Sequence, residues 1–196
     1  AMKAMLEGDK VLAEKIIKSD DVINDIETEI DDEVARYINL RAPVARDLRL
    51  LFVAVKASHD LERVGDEASS VAKRTIKILT EGPIGSSLGQ VPKMGELAVS
   101  MLKEALQSFI QEDENIAYSI INRDKEVDSL NRENLSEFVE LMKQDPSTVA
   151  TSTEMVFISK SFERIADHAK NIAEEVYYLL TSQSLKEVIR AEKQGK

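Results

Sequence analysis

The chain has 196 residues, with 36 Asp plus Glu against 26 Lys plus Arg, no Cys, 7 Gly and 4 Pro, and a formal net charge of −10. The lack of cysteine excludes disulfides and thiolate metal sites, the scarcity of Gly and Pro argues against a turn-rich β-sandwich, and the acidity opposes a nucleic-acid backbone. No apolar run reaches the ~18–20 residues of a membrane span and no signal-peptide core is present, so a cytoplasmic protein is expected.

In chain order every predicted element is a helix. The first is expected over 2–18, and Ser19-Asp20 reads as the cap of a second over 20–40. Pro43 marks the next boundary, because proline suits a first helical turn and disrupts a helix interior. The third helix, 44–80, carries an apolar stripe through Leu48, Leu51, Phe52, Val55, Leu61, Val64, Ala68, Val71 and Ile78. The Gly/Pro/Ser-rich stretch Glu81 to Pro92 reads as a linker. A fourth helix over 93–121 has its stripe at Leu97, Met101, Leu102, Ala105, Phe109, Ile116 and Ile120, and Asp124 reads as the cap of a fifth over 124–144. Pro146-Ser147-Thr148 opens a sixth over 147–181, followed by a polar stretch around 185–194. Strand-type alternation is absent, and the fold class is all-α.

The two halves of the chain repeat. Asp60 to Ala72 matches Ser161 to Ala173 at an offset of 101, sharing Glu-Arg, Asp and two Ala, and Asp20 to Ile26 matches Asp124 to Leu130 at an offset of 104. The expected architecture is therefore two similar antiparallel three-helix bundles in tandem. The first is placed at 1–82 with a truncated first helix, the linker at 83–92, the second bundle at 93–183 and a polar tail at 184–196.

Each repeat sets carboxylates at helical spacing. Glu62 with Asp66, and Glu163 with Asp167, stand at i, i+4 and so share a helix face. The preceding helices offer Asp20 with Asn24, and Asp124 with Asp128. Antiparallel counting from the turns near 43 and 145 sets Asn24 opposite Glu62, Asp20 opposite Asp66, Asp128 opposite Glu163 and Asp124 opposite Asp167. Four oxygen donors on one seam repel unless cations, protons or arginines intervene. Such a site calls for oxygen-loving ions: magnesium, manganese, iron or calcium, with zinc through carboxylates. Solvated acids bridged by Arg63 or Arg164 are the simpler reading of the same residues. His59 and His168 read as surface or internally satisfied histidines, and neither completes the Glu-x-x-His pair of di-iron bundles. Arg36, Arg41, Arg46 and Arg49 cluster around the predicted turn at 43, either as a dipolar surface paired within the bundle or as an anion- or protein-docking edge. Nucleophilic triads and phosphate loops are missing, so no enzyme is expected.

Ala42-Pro-Val-Ala-Arg-Asp-Leu-Arg49, Asp60-Leu-Glu-Arg-Val-Gly-Asp66 and Phe162-Glu-Arg-Ile-Ala-Asp-His-Ala-Lys-Asn-Ile-Ala-Glu174, taken in order, resemble the PhoU family of bacterial phosphate-transport accessory and regulatory proteins. The resemblance implies two three-helix bundles, and metal clusters held by E(D)xxxD motifs. On that basis Glu62, Asp66, Glu163 and Asp167 are candidate ligands, with Asp20, Asp124 and Asp128 as partners and Asn24 an amide in place of a carboxylate. It further implies a negative regulator of the phosphate-starvation response. Such a protein couples the importer ATPase to a membrane sensor histidine kinase and reaches the inner face of the membrane through those partners. A homodimer stays open. The alternatives are a metal-free helical adaptor and a di-metal carboxylate enzyme.

Overall fold

The apolar stripes become long helices that pack lengthwise. A computed structural model describes residues 1–81 and 88–194, so half of the expected linker, 83–87, lies outside the described residues. Within them run α1 (Met2–Glu7), α2 (Lys10–Arg41), α3 (Ala45–Glu81), α4 (Val91–Gln111), α5 (Glu114–Gln144), a short 3-10 turn (Pro146–Thr148), α6 (Val149–Thr181) and α7 (Leu185–Gln194). No strand occurs among the described residues.

Two boundaries differ from expectation. The first break falls at Gly8-Asp9 rather than Ser19, and the fourth helix ends at Gln111 rather than near 121. Both breaks have the same construction, 104 residues apart. Gly8 and Glu112 adopt left-handed backbone with φ 63° and 51°. The Asp that follows then caps the next helix: Asp9 Oδ1 accepts the Leu12 N–H at 2.9 Å and Asp113 Oδ1 accepts that of Asn115 at 2.8 Å. Ser19 instead turns its hydroxyl back to the Ile16 carbonyl at 2.8 Å, inside α2. Asp124 likewise lies within α5, where its carboxylate serves a lysine described below. The stretch expected as a polar tail folds as α7, anchored by the buried Leu185.

In the second repeat α4, α5 and α6 pack as a three-helix bundle, and in the first α2 and α3 form an antiparallel pair with α1 at one end. The repeats join along α3 and α6. Lys56 meets Glu175, Asp60 meets His168, Glu67 meets Arg164 and Arg74 meets Glu154, so one residue number climbs as the other falls and the helices are antiparallel. With the repeat offset of 101, that pairing brings residues near Gly65 opposite their own equivalents near Ile165. An approximate two-fold axis therefore passes through the middle of the α3–α6 contact.

The main core fills the second bundle and the inner face of α3, with Met94, Met101, Phe138, Met155, Ile158, Phe162 and Ile172 inside it and Val71 and Ile78 contributed by α3. Asn134, fully buried on α5, accepts the Gln90 N–H at 2.6 Å and donates to Ser159 Oγ at 3.0 Å, which ties the start of α4 to α5 and α6. On α2, by contrast, Ala13 is the one residue counted as buried. Its contact with α3 is close at Gly65, where an added Cβ would stand 2.9 Å from Ile23 Cδ1. Beyond that contact an open apolar groove of about 380 Å³ runs between Ile23, Ile26 and Ile30 of α2 and Leu61 and Val64 of α3.

Candidate functional site

Both acidic seams exist, each along a helix pair within one repeat. On the second seam one of the two expected pairings, Asp124 with Asp167, is observed. The Lys170 ammonium, on α6, donates to Asp124 Oδ2 of α5 at 2.7 Å and to Asp167 Oδ1 at 2.9 Å, so those two carboxylates face each other across the seam. Burial pulls the Lys170 pKa down, but the two hydrogen bonds and both negative charges outweigh it and hold the group above its ordinary value. Glu163 pairs with Lys160 one turn away, and Asp128 stands half-buried within the field of Asp124. Protein ammonium groups thus serve three of the four predicted positions directly.

The first seam is arranged differently. Asp66 accepts from Arg63 Nη1 at 3.0 Å. Asp20 lies across from α3, its Oδ1 3.4 Å from where a Gly65 Cβ would stand, and Asn24 is exposed. Asp20 forms no tight ligand group with Glu62 and Asp66 among the described residues. Among the described residues, the three-residue cluster of ligand atoms is Glu27, His59 and Glu62, all within 4.8 Å of one another. His59 Nδ1 stands 3.0 Å from Glu27 Oε1. Glu62 Oε2 is buried and makes no hydrogen bond, although Arg63 Nε lies 3.2 Å away. Burial, followed by the charge of Asp66, pushes the Glu62 carboxyl above its usual range despite the pull of Arg63.

Sequence reasoning missed three residues here: Glu27, His59 and Lys170. On its own His59 reads as a surface histidine, but His59-x-x-Glu62 puts the groups of a Glu-x-x-His pair on one face in reverse order. An imidazole stands beside the two carboxylates of this cluster. Lys170 carries the same signal, three residues after Asp167. His168, in turn, is internally satisfied: its Nδ1 lies 2.7 Å from Asp60 Oδ1 across the α3–α6 contact. Much of the arginine cluster also pairs within the molecule. Arg36 binds Glu33, Arg46 donates to Glu112 at 2.7 Å, and Arg49 lies 5.3 Å over the Tyr178 ring.

No helix of the described residues is long and apolar enough to cross a membrane. The PhoU domain family model matches residues 1–75 and 91–176. The phosphate-specific transport system accessory protein PhoU homolog of Pseudomonas aeruginosa is 38% identical over 96% of this chain and 78% of its own length. The crystal structure of PhoU from Pseudomonas aeruginosa superposes with a TM-score of 0.90 at 38% identity, covering 93% of this chain and 87% of that one. The crystal structure of the phosphate transport system regulatory protein PhoU from Streptococcus pneumoniae gives a TM-score of 0.84 at 31% identity, over 92% of this chain and 84% of that one.

Proposed function

The chain belongs to the PhoU family, and from that membership we propose that it is a non-catalytic accessory protein of phosphate transport. In this reading it restrains the phosphate-starvation response by linking an importer ATPase to a membrane sensor histidine kinase. The observation that carries the proposal is the family match over both repeats, in order, at residues 1–75 and 91–176. The physical part it plays is that of a rigid platform. Two antiparallel helices, α3 and α6, hold the repeats together and leave their outer helices facing solvent, which suits docking rather than turnover. Recruitment to the membrane is by partners, since an acidic surface is repelled by anionic lipid. The acidic seams belong to the same proposal, as places where divalent cations reinforce helix pairs whose carboxylates would otherwise repel.

A deletion strain grown in abundant phosphate tests the regulatory part. The expected result is a starvation response switched on despite the phosphate, together with capture of the importer ATPase and the sensor kinase by the tagged chain. A deletion strain with normal phosphate control, and no capture of either protein, would overturn it.

A further inference from the structure

The long helix pairs of the two repeats close in turns of opposite character. Setting Pro43 on Pro146 aligns Arg41, Ala42 and Val44 with Gln144, Asp145 and Ser147. The second turn satisfies itself. Asp145 Oδ1 accepts the Ser147 N–H at 3.0 Å and its hydroxyl at 2.7 Å, and Thr148 donates its hydroxyl to the Asp145 carbonyl at 2.7 Å. In the first turn Ala42, Pro43, Val44 and Ala45 carry no polar side-chain atom with which to do the same. Ala42 and Ala45 take left-handed backbone, with φ 44° and 49°, which an L side chain seldom adopts unless its surroundings hold it there. Between them Val44 stands 74% exposed.

Around this turn the surface is apolar and basic at once. Leu40 is 70% exposed and Phe52 58%, with Tyr37 and Leu50 also open to solvent, all within about two helical turns of the bend. Residues 34–56 hold Arg36, Arg41, Arg46, Arg49 and Lys56 against the single acid Asp47, in a chain whose net charge is −10. Two of these arginines are positioned from within, Arg46 by Glu112 at 2.7 Å and Arg49 over the Tyr178 ring. Arg41 is exposed and has no ion-pair partner among the described residues. Exposed apolar anchors among arginines, some already held in place, complement a segment whose own anchors are flanked by carboxylates.

The neighbouring charge decides which anionic partner fits. Asp31, Asp32 and Glu33 lie seven to nine residues before Leu40 on α2. That is about 10–14 Å along the helix, close to one Debye length. An anionic bilayer broad enough to cover the turn also meets those acids and is repelled by them. A protein segment a few residues wide reaches the arginines alone. A second copy of this chain would offer the acids of its own α2 only head to tail, an arrangement that does not close into a dimer.

We propose that the α2–α3 turn of the first repeat is a docking surface for a partner protein, and that it takes a segment with apolar anchors flanked by Asp or Glu. The proposal rests on the go-between reading and names the face on which one of the two partners sits.

The test measures binding of the whole chain to the purified importer ATPase and to the purified cytoplasmic part of the sensor kinase, each alone. The expected result is that at least one of them loses about tenfold or more in affinity for Leu40→Asp/Val44→Asp. Arg41→Glu should weaken the same complex and flatten its salt dependence. Ser147→Asp at the second turn should leave both affinities unchanged, and circular dichroism checks that each variant keeps its helix. A photo-cross-linker in place of Val44 should join the affected partner at a segment carrying Asp or Glu. Two complexes indifferent to Leu40→Asp/Val44→Asp would overturn this inference and leave the go-between reading standing. No binding of either protein by the parent would overturn that reading, and this inference with it. A cross-link to a segment without acids would overturn the stated chemistry. Flotation of the parent, but not of Arg41→Glu, with phosphatidylglycerol vesicles would overturn the choice of a protein occupant, and a Val44 cross-link between two copies would overturn the choice of an unlike one.

Discussion

Glu154→Gln is the substitution that best probes how the repeats are held together. Glu154 lies on α6 with its side chain 7% exposed, hydrogen-bonded by Arg74 Nη1 at 2.8 Å and by Lys77, both from α3. The amide of Gln keeps the shape and removes the charge. Lys77, 62% exposed, returns to water at little cost. Arg74 does not, because it is 30% exposed, lies 4.2 Å over the Phe157 ring, and has an Nε already without a partner. Removing one partner of a fully buried ion pair costs about 3–5 kcal/mol, and the partial access of Arg74 to water reduces that to roughly 2–3 kcal/mol here. At about 2–4 °C per kcal/mol for a chain of this size, the melting temperature should fall by roughly 4–12 °C. Urea unfolding followed by circular dichroism measures the loss directly. The pH dependence is a second readout. Burial pushes the Glu154 carboxyl up, but the hydrogen bonds and charges of Lys77 and Arg74 outweigh it, so the group sits below its unfolded value of 4.5. A lowered carboxylate pKa contributes stability that is present above the unfolded value and lost as pH falls through the folded one. The parent should therefore lose stability below about pH 4.5 that the Gln variant never had. Replacing both partners, as Glu154→Leu with Arg74→Met, should come within about 1 kcal/mol of the parent, because no charge is then stranded. A loss below about 0.5 kcal/mol for Glu154→Gln would refute the assignment of this pair as a tie between repeats.

Three further outcomes follow from the same geometry. Lys170→Met leaves Asp124 and Asp167 facing each other and should cost roughly 1–3 kcal/mol at pH 7 without metal, with Asp124→Asn in the same background recovering part of it. Since the Lys170 pKa is raised on folding, its stabilisation is full below the unfolded value of 10.5 and fades as pH climbs through the folded one, which an alkaline unfolding series reads against the variant. At Gly65, substitution by Leu should separate α2 from α3 and cost about 1–3 kcal/mol, while Ala stays within about 1 kcal/mol because the mobile end of Ile23 can shift and helix propensity improves; thermal melts distinguish the two. Asn134→Ala strands the Gln90 N–H and Ser159 and should cost about 1–3 kcal/mol, with faster amide exchange at Gln90.

The parts of this fold legible in the sequence are those set by period and repetition. Helical stripes, the offset of 101 and the prolines at 43 and 146 are local signals, and they predict the long helices, the tandem repeat and the facing of Asp124 with Asp167. The misplaced boundaries have a physical cause. Glu112 takes left-handed backbone without glycine, so composition gives no warning there, whereas Ser19 has a cap's side chain but bonds backward within α2. Gly8-Asp9 sets a left-handed residue before a capping Asp, a pairing that Ser19-Asp20 lacks. At the site, carboxylates were legible one helix at a time, but their neutralisation was not. Lys170 and Lys160 answer the second seam from its own helix, a matter of which rotamers meet. Glu27 and His59 come together only when α2 lies on α3, so no spacing within one helix announces the pair.

Near-symmetry in shape with asymmetry in chemistry also bears on the proposed go-between role. The axis through the α3–α6 contact relates Arg164 to Arg63 and Glu67 to His168. Arg164 pairs with Glu67 at 3.0 Å, but the symmetry-related partners are Arg63 and His168, which do not attract one another. His168 turns instead to Asp60, whose own equivalent is Ser161. Sequence drift has thus made the ion pairs along the joint non-exchangeable while the helices keep their mirrored course. A protein that joins two unlike partners needs two faces of known separation and different chemistry. A duplicated bundle provides the separation, and the divergence at 27, 59, 69 and their equivalents provides the difference.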